Sequence, residues 1–265
     1  MFNNKKIGLI IPVKYNSERL PGKILCNING KLQIERIIER ALQSQYIDQI
    51  ILAIINENNE SEKILEWYNN SKYNIEGFRK IDYFIGEYNN IIKRCLNAAE
   101  YFNIDIIVDV SQDCTFFDPC LVNRLIERLF IYDADYSTNC ITRTFPNGFD
   151  IQVYTKEIYK RIYESNEYFW RYSGWNIFYA REKIYPKPKI INLEADILNY
   201  FPHWHLCLDT NEDKILIEKI FKHFENYENN LYPHYYEIIY YLKKNKKLLK
   251  INENIIDTEL LKEKN

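Results

Sequence analysis

No C-x-x-C pair occurs among the six cysteines of this chain, Cys26, Cys95, Cys114, Cys120, Cys140 and Cys207. That spacing removes a disulfide framework and leaves reduced, mostly buried thiols as the expectation. No excess of one charge is present either, with 35 basic against 37 acidic residues and a formal net charge of -2. Nucleic-acid and anionic-membrane binders usually carry a basic surplus, so neither partner is expected and any positive site must be local. No apolar window approaches the length of a membrane span. Met1-Phe2-Asn3-Asn4-Lys5-Lys6 leads into an apolar run too short for a signal peptide, and the expected location is cytoplasmic. His203, His205, His223 and His234 lack zinc-like spacing; only His203-x-His205 could share a strand face, and no metal is expected there. Repeats and low-complexity linkers are absent, so the 265 residues read as one domain. The seven glycines, beside abundant Asn, Lys, Ile and Tyr, are a residue bias that says little about function.

What is present is a substantial core, with 46% hydrophobic residues in two alternating spacings. Ile7 to Val13 reads as a buried strand. Residues 32–45 repeat apolar positions at a helical period through Leu32, Ile34, Ile37, Ile38, Ala41 and Leu42. Strands follow at 49–55, 81–85, 105–110 and 136–142, separated by helices at 61–69, 89–101 and 119–130. This rhythm predicts an α/β protein with a mostly parallel sheet covered by helices on both faces. Later the rhythm weakens: Pro146-Asn147-Gly148 marks a turn entering a strand, and Pro186-Lys187-Pro188 marks a loop. A strand over 204–208 and helices over 211–224 and 235–243 complete the pattern.

Ligands of such sheets bind beyond the carboxyl ends of the strands. One such end opens into Lys14-Tyr15-Asn16-Ser17-Glu18-Arg19-Leu20-Pro21-Gly22-Lys23. Three cations in ten residues, the Ser17 hydroxyl and the accessible backbone at Gly22 equip this loop to hold a polyphosphate. Ser111-Gln112-Asp113 follows another strand and brings a carboxylate to the same edge.

The opening pattern Ile-Ile-Pro-x-x-x-x-Ser-x-Arg-Leu-Pro-Gly-Lys closely resembles the signature loop of cytidylyltransferases that make CMP-linked sugars, notably CMP-Kdo synthetases and the SpsF group of spore-coat polysaccharide proteins. Four further segments are similar, in the same order. They are Gly86 to Arg94 with Ala98-Ala99, Ser111 to Pro119, Phe145 to Val153, and Leu208-Asp209-Thr210-Asn211-Glu212-Asp213; Lys250-Ile251-Asn252-Glu253-Asn254-Ile255 matches a C-terminal Ile-Asn pattern. The resemblance implies a three-layer α/β/α nucleotide-diphospho-sugar transferase (glycosyltransferase A-like) fold, with a nucleotide-binding half over 1–143 and an acceptor half over 144–265. It implies attack by a sugar carboxylate, hydroxyl or phosphate on the α-phosphorus of CTP, with release of pyrophosphate. Mg2+ is the implied cofactor, held by Asp113 and Asp209. Lys14, Arg19 and Lys23 would carry the phosphates and leaving group, Ser17 would donate a hydrogen bond, and Arg94 would lie near the nucleotide. Asp150, Gln152, Arg171 and His205 fall on the acceptor side.

The chain also departs from the family. Lys14 replaces Arg, Gln112 replaces Gly, Thr115 replaces Pro, Gln152 replaces Glu, and His205 stands where an Arg is usual. The Arg-Glu-His block is not recognisable in residues 167–175. An unusual acceptor and a non-catalytic nucleotide-binding descendant both remain open on these grounds. Asp133-Ala134-Asp135 offers a third reading, a glycosyltransferase metal motif, against an ordinary structural Asp. Asp209 has its own alternative, since Asp209 or Thr210 could cap the helix over 211–224. The rings of Tyr168, Phe169, Trp170, Tyr172 and Trp175 could stack on a sugar, form a homodimer contact or pack internally.

Overall fold

The structure, a computed structural model, describes residues 1–17, 19–74, 81–169, 173–225 and 232–254. In chain order its elements are β1 (Ile7–Val13), β2 (Asn27–Ile28), β3 (Lys31–Leu32), α1 (Gln33–Ala41), β4 (Gln49–Ile55), α2 (Asn58–Asn70), β5 (Ile81–Gly86), α3 (Ile91–Tyr101), β6 (Ile106–Asp109), α4 (Pro119–Ile131), β7 (Tyr136–Thr138), β8 (Gln152–Thr155), α5 (Lys156–Ser165), α6 (Trp175–Tyr179), β9 (Ile190–Asn192), α7 (Asn211–Phe224) and α8 (Tyr235–Lys244).

One seven-stranded sheet runs β5-β4-β1-β6-β8-β7-β9. Strand β8 lies antiparallel between β6 and β7, while every other pairing in the sheet is parallel. Strands from both halves of the sequence therefore share one sheet. Alternation along each strand builds two cores. Leu9, Ile11 and Val13 of β1, with Ile50, Leu52 and Ile54 of β4, face a core shared with α1, α2, α4, α7 and α8. Ile10, Ile51, Ala53 and Ile107 face the core of α3, α5 and α6. A strand buried on both faces must be apolar on both, which is why β4 is a continuous run without alternation.

The helix starts carry local signals. Asn90 caps α3 through Lys93 N, and Asp118 caps α4 just before Pro119. Glu39 of α1 accepts from Lys31 (2.6 Å), Lys72 (2.9 Å), Tyr73 (3.1 Å) and Tyr232, drawing several segments together. No helix among the described residues is long and apolar enough to cross a membrane.

Two expectations are corrected. The strand expected over 136–142 stops at Thr138. The segment 204–208 forms no strand; its ladder is a single bridge between Asn147 and His205, with a further backbone bond from Leu208 N to Asp113 O at 2.9 Å. Three elements without an expectation, α5, α6 and β9, lie in the stretch where the rhythm weakens.

Candidate active site

The basic loop is shaped by two backbone devices. Gly22 N donates to Tyr15 O at 3.0 Å, and Gly22 is left-handed (φ 71°), with a Cβ there falling 3.1 Å from the Tyr15 hydroxyl. The turn then sends Lys23 inward, where it is only 4% exposed. Its ammonium donates to Asp113 Oδ2 at 3.0 Å and to Asp209 Oδ1 at 3.1 Å. Arg19 Nη2 reaches the same Asp209 oxygen at 2.9 Å from the exposed rim. Lys14 is exposed and Ser17 half-buried in the same loop.

These charges are unevenly balanced. Burial would lower the Lys23 pKa, but Asp113 and Asp209 outweigh it and hold the ammonium charged. Burial pushes Asp113 up, yet Lys23 and the Ser111 hydroxyl bring it below the usual carboxylate range. Asp209 is raised by burial and by the Asp113 charge, against the pull of Lys23 and Arg19. Two carboxylates thus converge on one ammonium, and the strained member is Asp209. Such a pair suits a hard divalent cation, which takes one or two carboxylate oxygens and fills its other positions from phosphate and water.

The departures near Asp113 have structural partners. Gln112 Oε1 accepts from Lys14 N at 3.1 Å, tying the two loops together. Gln33, at the start of α1, donates to Gln112 O at 3.0 Å and accepts from the Thr115 hydroxyl at 3.0 Å. Gln112, Gln33 and Thr115 therefore form one buried amide network under Asp113.

Asp209 is held from the other side. Thr210, not Asp209, caps α7: its hydroxyl accepts from Asp213 N at 3.2 Å, while Asp213 Oδ2 accepts from the backbone N–H of Asp209 and Thr210. Asn252 donates to Asp213 Oδ1 and to His205 O, both at 2.8 Å. His205 Nε2 lies 3.8 Å from Asp209 Oδ2 and 3.6 Å from Asp213 Oδ2, and its Nδ1 is 3.3 Å from Asn147 Nδ2. At Gly148 (φ 107°) a Cβ would fall 2.6 Å from the Leu206 carbonyl carbon, so only glycine lets these backbones meet.

The remaining expected residues scatter. Asp150 makes a two-pronged ion pair with Arg143, both bonds 2.8 Å. Gln152 accepts from the Tyr136 hydroxyl at 2.6 Å. Arg94 is buried behind Gly86, donates to Glu87 O, and makes no contact with Lys23, Asp113 or Asp209 among the described residues. Arg171 lies outside the described residues, as do Trp170 and Tyr172.

A model of one protein family, described as Cytidylyltransferase, matches residues 9–255. The chain belongs to the cytidylyltransferase family. Among curated proteins this cytidylyltransferase is 25% identical over 251 residues to an uncharacterized protein of Methanocaldococcus jannaschii, covering 94% of this chain and 96% of that one. It is 26% identical over 192 residues to an 8-amino-3,8-dideoxy-manno-octulosonate cytidylyltransferase of Shewanella sp. strain W3-18-1 (71% and 73% covered). The spore coat polysaccharide biosynthesis protein SpsF of Bacillus subtilis is 28% identical over 133 residues, about half of each chain (49% and 52%). A solved cytidylyltransferase from Leptospira borgpetersenii superposes with a TM-score of 0.77 at 25% identity, covering 93% and 97%. A CMP:2-keto-3-deoxy-manno-octonic acid synthetase complexed with CTP shares the fold, with a TM-score of 0.57 at 15% identity (82% and 99% covered). The family enzymes are nucleotidyltransferases, and the three-layer fold here is theirs.

Asp133 and Asp135 lie elsewhere in this cytidylyltransferase. Asp133 ends α4 in a left-handed turn (φ 46°), and Asp135 Oδ2 accepts from Lys189 N at 2.8 Å, at the amino end of β7 and away from the strand ends that carry Asp113. Three residues with buried polar partners, two of them near the site, carried no clear sequence signal. Gln33 had no motif. Arg143 had one weak signal, an opposite charge at Asp150 across the Pro-Asn-Gly turn. Asp109, a carboxylate inside the apolar run Ile106 to Val110, is buried and accepts from the Tyr154 hydroxyl (3.1 Å) and Gly174 N (3.0 Å).

Proposed function

We propose that this cytidylyltransferase is magnesium-dependent and transfers CMP from CTP to a sugar acid or phosphorylated acceptor, releasing pyrophosphate, for surface polysaccharide synthesis. The observation that carries the reading is Lys23, held between Asp113 and Asp209 at the mouth of the basic loop. In the reaction an acceptor oxygen bonds to the α-phosphorus as the bond to the bridging oxygen of pyrophosphate breaks, so negative charge moves onto the leaving group. Lys14 and Arg19 meet that charge from the rim and Lys23 from below, where low solvent access strengthens each contact. Ser17 donates a hydrogen bond to the phosphate tail. Asp113 and Asp209 would hold Mg2+, which when bound neutralises phosphate charge and orients the α-phosphate. The Gln112, Gln33 and Thr115 network supports a working site, because two of the departures from the family pattern, Gln112 and Thr115, are buried and hydrogen-bonded there. The Arg143–Asp150 pair, close enough to Cys114 for its charges to be felt there, is the candidate start of the acceptor side.

The test incubates the protein with CTP, Mg2+ and a panel of sugar acids and sugar phosphates and follows pyrophosphate. Release with at least one acceptor, lost in Asp113→Ala, is expected. No turnover with any acceptor, together with unchanged CTP affinity in Asp113→Ala, would sink the proposal.

A further inference from the structure

Beyond the nucleotide crevice, the turn ending at Asp118 and the start of α8 bring a carboxylate, an imidazole and a thiol into line. Asp118 is fully buried; its Oδ1 accepts from Cys120 N (2.7 Å) and Leu121 N (3.3 Å). Its Oδ2 accepts from Tyr235 N at 2.7 Å and faces His234 Nδ1 at 3.3 Å. The other ring nitrogen, Nε2, stands 4.0 Å from Cys120 Sγ. Cys120 is the exposed cysteine of the chain, with Cys26 half-buried and the other four buried.

The same three side chains could suggest a metal site, but both Asp118 oxygens are committed to backbone N–H groups and the imidazole. Asp118 therefore orients the ring and does not offer a ligand. An oriented imidazole beside an accessible thiol is the arrangement that activates a nucleophilic cysteine. We propose that Cys120 is a thiol-modification site, deprotonated by His234 and reactive toward low-molecular-weight disulfides.

In the exchange, His234 Nε2 takes the Sγ proton and the thiolate attacks one sulfur of the incoming disulfide. The Cys120–sulfur bond forms as the disulfide bond breaks, and the departing thiolate leaves as a thiol with the proton from His234. Cys120 is oxidised to a mixed disulfide while half of the reagent is reduced to thiol.

The charged groups around the pair are Asp118, Arg40 of α1, Arg124 of α4 and Glu237 of α8, with the Tyr236 ring stacked on His234 at 5.5 Å. Partial burial and Asp118 outweigh Arg40 and Arg124 and push the thiol up from its ordinary value. The hydrogen bond to Asp118 is the main influence that raises His234 and keeps it basic. Cys120 thus depends on its neighbouring base.

The test is the rate of mixed-disulfide formation with glutathione disulfide on the full chain, located by peptide mass mapping across pH 5 to 9. Cys120 should react first, at pH 7 about tenfold faster in the wild type than in His234→Gln. Cys120→Ser should abolish that first modification. Equal rates and identical pH profiles in wild type and His234→Gln, or first reaction at another cysteine, would overturn the proposal. Should His234→Gln fail to fold, the wild-type profile decides alone: an inflection in the imidazole range supports it, and a rise only in the ordinary thiol range refutes it.

Discussion

A lysine buried between two carboxylates is favourable only while the opposing charges remain, because each was moved out of water to meet the others. Lys23→Met would leave Asp113 and Asp209 facing one another. Pyrophosphate release is expected to fall about 100- to 1,000-fold, since a stabilising donor for the leaving group disappears. Lys14→Gln, at an exposed position, should cost about tenfold or less in the same assay, by solvent screening. Glu39 makes a separate prediction at this scale. Burial pushes its carboxyl up, but the bonds from Lys31, Tyr232 and Lys72 prevail and hold it at about 2. A carboxyl depressed in the folded state stabilises above its unfolded pKa and loses that contribution as pH falls toward the folded value. Wild type should therefore exceed Glu39→Gln in stability by about 1 kcal/mol at pH 7, discounted for solvent screening of the half-buried group, with the gap closing between the unfolded carboxylate range and pH 2. Urea denaturation at several pH values measures it.

At the scale of elements, the crevice is assembled by joints between the start of α1, the turn after β6 and the segment before α7. Gln33 makes the first joint. Gln33→Leu would leave Gln112 O and the Thr115 hydroxyl buried without that partner, a cost of about 2–3 kcal/mol in urea denaturation. Gly148 makes the second. Gly148→Ala is expected to cost at least about 2 kcal/mol, because its φ of 107° and the Leu206 backbone both exclude a side chain. It should also weaken CTP affinity, since Leu206 leads directly to Asp209. Unchanged stability and affinity would refute this coupling. The single bridge between Asn147 and His205 shows why 204–208 reads as a strand and is not one. Its apolar alternation is real, but only a neighbouring segment can supply the hydrogen bonds.

For the whole molecule, the net charge of -2 conceals a local concentration of cations, Lys14, Arg19 and Lys23, over the proposed polyphosphate site. CTP binding should weaken several-fold between low and physiological salt, since exposed charges are screened over about 8–10 Å. Calorimetric titration should show a flatter salt dependence in Lys14→Gln.

Much of the first half and of its basic loop was legible in the order of residues, because each feature there is local. Apolar runs made β1 and β4, helical spacing made α1 and α4, and Lys14 to Lys23 showed a concentration of cations within ten residues. The second half was less legible. The short strands β8 and β9 take their meaning from distant partners, and Asp150 and Gln152 become intelligible only beside Arg143 and Tyr136. The sequence by itself determined the α/β rhythm and the basic loop. Tertiary structure alone decided that Lys23 turns inward to join Asp113 and Asp209, residues 90 and 186 positions away, because charge pairing acts through space and not along the chain.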